Sequence, residues 1–267
     1  MNIIKKIFYK IRQEFTRFSL KLFNNHFILR LLFLINPLLR INFNEKYVKS
    51  NKLKIFFSRE KRLYLFVNGI KFRLKKLEKE YLIYRIKFHA EDVIIDVGSN
   101  IGEFSFLLKT YYKLNNILCV EADPFEYATL KKNTAGLNYE PLNLGAFNED
   151  GEKEFFLNND HGDSSFNKSN KFDSISIKVR TLDSIIKEKE IKTIKLVKLE
   201  AEGFEYEVLE GLKNSLNIIE YFSVDCGPER DGENTIKEVS NYLFSNNFSL
   251  VEIGEVRKVL LFKNNLF

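Results

Sequence analysis

Only two cysteines occur in the chain, Cys119 and Cys226, and neither has a partner at metal-ligand spacing. That excludes a zinc framework and a disulfide scaffold, and it points to reduced thiols in a cytoplasmic protein. A run of ~20 apolar residues, enough to span a bilayer, is also missing. The most apolar stretch, Phe27 to Leu39, is interrupted by Arg30, Asn36 and Pro37. A second helix ending before Pro37, or one dipping shallowly into a membrane, is expected there instead. No small-residue cleavage site follows it, so a secretory signal peptide is not expected. No nucleic-acid reader motif is recognisable, and nucleic acid is not an expected partner.

What is present is an ample apolar fraction, 45% of the chain, and a lopsided charge. Residues 1–90 carry 22 Lys and Arg against 5 Asp and Glu, whereas residues 91–267 carry 20 against 31. A basic leader on an acidic body suggests two tasks. Residues 3–23 place Ile3, Ile4, Ile7, Phe8, Ile11, Phe15, Phe18 and Leu22 at helical spacing, with Lys5, Lys6, Lys10, Arg12, Arg17 and Lys21 between them. This basic amphipathic helix suits an anionic membrane surface, reached through residues 1–40, as well as it suits packing on the folded body. The chain is therefore expected in the cytoplasm, with peripheral attachment to the inner face of the membrane as its second option.

Residues 52–57 and 62–74 read as strands. Asn68-Gly69, set between two apolar runs, is a type I′ hairpin signal. A helix over 78–87 follows, with His89 as a solvated loop residue beyond it. The expected division is a helical extension over 1–45, a small β-hairpin and helix element over 46–90, and a main domain over 91–267.

The main domain opens on Val93-Ile94-Ile95-Asp96-Val97-Gly98-Ser99-Asn100-Ile101-Gly102. An apolar β-branched strand, a glycine turn and a helical segment make the start of a nucleotide-binding βαβ unit. Gly98 and Gly102 admit a ligand close to the backbone, and the helix start turns free N–H groups towards it. A dinucleotide fingerprint needs glycine at the third and sixth turn positions. Asn100 and Glu103 stand there, which disfavours a nicotinamide enzyme. The form D-x-G-x-N-x-G is similar to that of S-adenosylmethionine-dependent methyltransferases. A second buried strand, Ile117 to Val120, ends at Glu121-Ala122-Asp123-Pro124. An acid about 20 residues past the turn is placed to accept both ribose hydroxyls. Asn143, or the Gly145-Ala146 backbone after a third strand over 140–147, can read the adenine edge.

Beyond it lie a strand over 154–157, a polar loop from Asn158 to Lys171 containing His161, a strand over 174–180 and a helix opened by Thr181-Leu182-Asp183. The fourth core strand, Ile194 to Leu199, ends at Glu200-Ala201-Glu202. Glu205, Glu207 and Glu210 read as helix surface. The fifth strand, Ile218 to Val224, ends at Asp225. A helix over 234–246 and strands over 249–253 and 256–262 close the chain. Acids at strand ends can hold a substrate hydroxyl, take its proton or bind a metal. The candidates are Glu202, Glu200, His161 and Asp225, in that order, and no metal site is expected.

Residues 92–230 resemble the FkbM methyltransferases. The matching blocks are Asp96 to Gly102, Glu121-Ala122-Asp123-Pro124, Asp163-Ser164-Ser165, Val179-Arg180-Thr181-Leu182-Asp183 and Lys198-Leu199-Glu200-Ala201-Glu202-Gly203-Phe204-Glu205. The resemblance implies an α/β class I methyltransferase fold, Rossmann-like, with a mostly parallel sheet and an antiparallel last strand. The N-terminal helical and β-hairpin extension stands outside it. It also implies S-adenosyl-L-methionine as cofactor, held by Asp96, Gly98, Ser99, Asn100, Gly102, Glu121, Ala122, Asn143 and Ala146, and O-methylation of a sugar, glycan or related metabolite. The family's Asp after the fourth strand is Glu200 here. A non-catalytic, membrane-associated module that kept the nucleotide-binding fold is the alternative.

Overall fold

The computed structural model describes residues 3–22, 39–158, 164–168 and 173–267. The chain divides into two compact units, Met1–Lys76 and Leu77–Phe267. In the smaller unit a helix runs Ile3–Leu22. Strands β1 (Leu39–Asn42), β2 (Tyr47–Ser50) and β3 (Leu53–Phe56) form an antiparallel meander. The helix expected from Phe27 and ending before Pro37 lies outside the described residues.

The hairpin expected over 62–74 does not form. Glu60–Phe66 is a 3-10 helix and Ile70–Glu80 an α-helix. Asn68-Gly69 is the joint between them. Gly69 sits at φ +99°, donates its N–H to Phe66 O (2.7 Å) and accepts from Arg73 N (3.1 Å). Burial explains the outcome. Leu63, Leu65, Phe66, Val67, Ile70 and Leu74 are all buried, and a two-stranded ribbon with one solvated face cannot hide them together. The Asn68 side chain is spent on Tyr9 O (3.0 Å) instead of a turn. The helix expected over 78–87 starts and stops earlier than that, at Ile70 and Glu80, and a 3-10 turn at Ile83–Arg85 follows it.

The larger unit carries β4 (Ile94–Val97), β5 (Ile117–Glu121), β6 (Leu142–Asn143), β7 (Gly145–Ala146), β8 (Gly151–Leu157), β9 (Asp173–Arg180), β10 (Ile194–Leu199), β11 (Ile219–Asp225), β12 (Phe248–Ile253) and β13 (Val259–Asn264). Seven of them form one sheet in the order β12-β13-β11-β10-β4-β5-β6. The five from β11 to β6 run parallel, and β13 is antiparallel to both of its neighbours. This is the class I methyltransferase arrangement. β4 and β5 are buried along their whole length, as parallel strands covered on both faces must be. The expected third strand over 140–147 is split: β6 joins the main sheet, while β7 pairs with β9 in a separate sheet ordered β7-β9-β8. Cys119 and Cys226 are free and buried.

Candidate functional site

The strand register brings the site together. β4 lies between β10 and β5, so Asp96 stands beside Lys198 on one side and Cys119 on the other. β6 sets Asn143 beside Glu121. All these strands end on one edge of the sheet, where ligands of open α/β folds bind.

At the end of β4 the chain makes a tight turn. Gly98 has φ +66°, and a Cβ there would stand 2.0 Å from the Glu200 carbonyl oxygen. No other residue fits between the β4 and β10 ends. Asn100 takes φ +51°, a left-handed conformation that asparagine tolerates. Gly102, at φ +83°, precedes the helix Glu103–Leu107. Ser99 Oγ donates to Asp96 O (2.6 Å) and accepts from Val120 N (3.1 Å), which ties the turn to β5.

Glu121 meets this turn directly. Its Oε2 accepts from Asn100 N (2.6 Å) and its Oε1 from Asp123 N (2.8 Å). Burial pushes its carboxyl up to about 7, against the pull of those two amides. Asp123 caps the helix Pro124–Asn133 through Phe125 N (2.8 Å), and its other oxygen accepts from Ser164 Oγ (2.8 Å). Ser164 is thereby tied to the end of β5. Asn143 Nδ2 donates to the carbonyls of Glu121 (2.9 Å) and Ala122 (3.2 Å), bracing that strand end. Ala146 is buried in β7.

Asp96 is fully buried, and burial raises its carboxyl. Oδ2 accepts from Ser105 Oγ (2.7 Å). Oδ1 receives no hydrogen bond, although Lys198 Nζ lies 3.3 Å away. Lys198, 2% exposed, is the hub that sequence reasoning missed. Its ammonium donates to Val97 O (2.9 Å) and Gly98 O (2.8 Å) and lies 3.3 Å from Glu200 Oε2. Burial pulls its pKa down, but Asp96 and Glu200 hold it above the ordinary value.

Glu200 and Asp225, from neighbouring strand ends, converge on Arg257, which arrives from the loop between β12 and β13. Glu200 also accepts from the Tyr81 hydroxyl. Burial alone would raise the Glu200 carboxyl, but Arg257 and Lys198 together hold it well below the carboxylate range. Burial raises Asp225, with Arg257 opposing. The one Glu200 carboxylate meets Tyr81, Lys198 and Arg257 at once. Glu202 sits at φ +51° just beyond. Asn167 Nδ2 donates to the carbonyls of Glu202 (3.2 Å) and Glu229 (2.9 Å). His161 lies outside the described residues.

One expectation is corrected here. Glu205 is not helix surface: it is fully buried and accepts from Ala201 N (2.9 Å), Gly203 N (3.2 Å) and Thr235 Oγ1 (3.0 Å). It holds the loop after β10 in shape, because those loop amides have no strand partner. A second missed group is Glu229, on the loop after β11. Its Oε2 is buried without a hydrogen-bond partner. Burial and the charges of Asp225, Glu205 and Glu200 push its carboxyl up to about 8. Among the described residues no cluster of three or more His, Cys, Asp or Glu side chains is placed to hold a metal ion.

With this geometry in view, likeness to known proteins acquires meaning. A family model described as the Methyltransferase FkbM domain matches residues 96–250, more than half of the chain. The hexuronic acid methyltransferase AglP of Haloferax volcanii is 27% identical over 178 residues, covering 63% of this chain and 71% of that protein. Among solved structures, the methyltransferase FkbM of Methylobacillus flagellatus KT is 17% identical with a TM-score of 0.49, covering 76% of this chain and 54% of that one. The chain thus spans about half the length of that solved relative. M. capricolum TrmK, solved with S-adenosyl-homocysteine, is 16% identical with a TM-score of 0.41, covering 73% of this chain and 69% of that one. The matched span includes the Asp96–Gly102 turn, Glu121 and the Lys198–Glu205 block. The chain belongs to the FkbM family of methyltransferases.

Proposed function

We propose that the chain transfers the methyl group of S-adenosylmethionine to a hydroxyl of a sugar or glycan. The observation that carries this reading is the meeting of Glu121 with the glycine turn: a buried carboxylate pinned by two backbone amides at a turn whose Gly98 leaves no room for a side chain. Each oxygen keeps a lone pair for a further donor, and a vicinal diol offers two. Asp96 Oδ1, with the Lys198 ammonium 3.3 Å away, sets a buried ion pair beside the turn. These features fit the adenosine and methionine ends of the cofactor, which supplies an electrophilic methyl group. Asp96, Gly98, Ser99, Asn100, Gly102, Glu121 and Ala122 would hold it, with Asn143 and Ala146 at its adenine side. The sugar acceptor is supported by family membership and by the relative named for a hexuronic acid.

The chain's own part is alignment and proton removal. Alignment of reactants is worth up to ~7–11 kcal/mol, and a base ~10²–10⁴-fold. Of the acids at the β10 and β11 ends, Glu200 is committed to Arg257, Lys198 and Tyr81 and is a weak base. Glu229, whose buried Oε2 has no hydrogen-bond partner and whose carboxyl is pushed up to about 8, suits proton acceptance from a hydroxyl better; Asp225 and Glu202 are further candidates. The test is incubation of the purified chain with methyl-labelled S-adenosylmethionine and a panel of neutral and acidic sugars. Label appearing in a sugar, with S-adenosylhomocysteine released in equal amount, is expected. Cofactor binding without label transfer to any sugar or glycan fraction would overturn the assignment in favour of a non-catalytic module.

A further inference from the structure

The helix Ile3–Leu22 is seated the wrong way round for a soluble unit. In the usual arrangement its apolar stripe would face the core and its polar residues the solvent. Here Thr16 is fully buried, Arg12 is half-buried, and Tyr9 packs edge-on against Phe72 with ring centroids 4.9 Å apart. The apolar stripe points out. Ile7, Phe8, Ile11, Phe15 and Phe18 are 54–63% exposed. At about 3.6 residues per turn these five fall on one continuous face. A contiguous exposed patch of large apolar side chains marks an interaction surface.

We propose that this stripe lies in the surface of an anionic lipid bilayer, with the helix in the membrane plane. Charge argues for lipid over a second copy of the chain. The helix carries six Lys and Arg against one acid, Glu14, and residues 1–76 carry 19 Lys and Arg against 3 Asp and Glu. Two copies meeting through this face would bring like charges together, whereas an anionic headgroup layer neutralises them. Lys10 and Arg17, both exposed, stand along one edge of the stripe, where headgroups would meet them. No helix among the described residues is long and apolar enough to cross a membrane, so the contact is with the surface. The inference is independent of the sugar assignment.

The test is flotation of the full chain with phosphatidylcholine vesicles, with and without phosphatidylglycerol, at low and high salt. The protein should float with the anionic vesicles, less so at high salt. The double variant Ile11→Asp/Phe15→Asp should bind about tenfold more weakly or worse. Lys10→Glu should weaken binding by a smaller factor. Both changes are on exposed positions, and circular dichroism checks that the fold persists. A native chain that stays at the bottom with anionic vesicles would overturn the proposal. So would a double variant that floats unchanged. Native chain that dimerises in solution, fails to float, and becomes monomeric on Ile11→Asp/Phe15→Asp would give the stripe to a second copy instead.

Discussion

Two acids stand at ends of the same sheet edge, on strands separated by β4, and are held by opposite means. Glu121, at the end of β5, is satisfied by two backbone amides and has its carboxyl raised to about 7. Glu200, just past β10, is satisfied by two cations and a tyrosine and has its carboxyl lowered. Glu121 is buried and the Glu200 side chain is 20% exposed, and desolvation pushes both upward; what differs is the partner. At Glu121 two backbone amides offset only part of the cost of burial, whereas at Glu200 two cations together more than offset it. The first arrangement leaves a carboxylate ready to receive new donors. The second leaves one that can neither give up its partners nor take a proton. The acid at the β5 end is held by amides alone, and the acid at the β10 end is tied to cations.

The largest effect expected is on rate. Glu229→Gln should lower methyl transfer ~10²–10⁴-fold, and it should abolish a rise of kcat/KM with pH through about 8 in the native chain. An unchanged pH profile would move the proton acceptor elsewhere. Next is Lys198→Met, which removes the cation between Asp96 and Glu200. Leaving buried Asp96 uncompensated, and Glu200 with Arg257 as its remaining cation, should cost about 3–5 kcal/mol in denaturant unfolding; a variant as stable as the native chain would show that Lys198 does not hold these acids. Glu121→Ala should weaken S-adenosylmethionine binding by about ten- to a hundredfold in calorimetry, from the loss of charged acceptors. Its thermal stability at neutral pH should change far less than that of Lys198→Met. The smallest effect is Thr235→Val, which removes one donor from buried Glu205 and should cost about 1 kcal/mol.

The same contrast sets opposite pH slopes for stability. Glu121 and Glu229 titrate above the ordinary carboxyl value, so the stability they favour is fully present below pH ~4.5 and is lost as pH rises through about 7 to 8. Glu200 titrates below its ordinary value, so its contribution is present above pH ~4.5 and is lost as pH falls through its lowered folded value. Thermal melts of Glu229→Gln should match the native chain near pH 5 and exceed it above pH 8.

Legibility in the sequence followed how local each signal was. The Asp96–Gly102 turn and Glu121 were readable because a strand, a glycine turn and a strand-end acid are written in two short stretches. Lys198 was in plain view within a quoted block, but its role depends on register beside Asp96. Tyr81 lies 119 residues from Glu200, and Arg257 lies 57 residues from it; no spacing rule links them. Glu205 misled because helical spacing assigns it to the surface, whereas its carboxylate turns back to amides of its own loop. Asn68-Gly69 misled for the converse reason: a sound local turn signal lost to the burial of six apolar side chains around it.

The sequence by itself determined the class of the sheet, the glycine turn after β4, the acid that meets it and the basic amphipathic helix at the start. Each is a matter of periodicity or of a few adjacent residues, whose backbone preferences act before any tertiary contact exists. Only the tertiary structure decided which acids are free and which are neutralised, and which face of the first helix is turned outward. Those outcomes depend on desolvation and on charges brought together from distant parts of the chain, and neither quantity exists until the chain has folded.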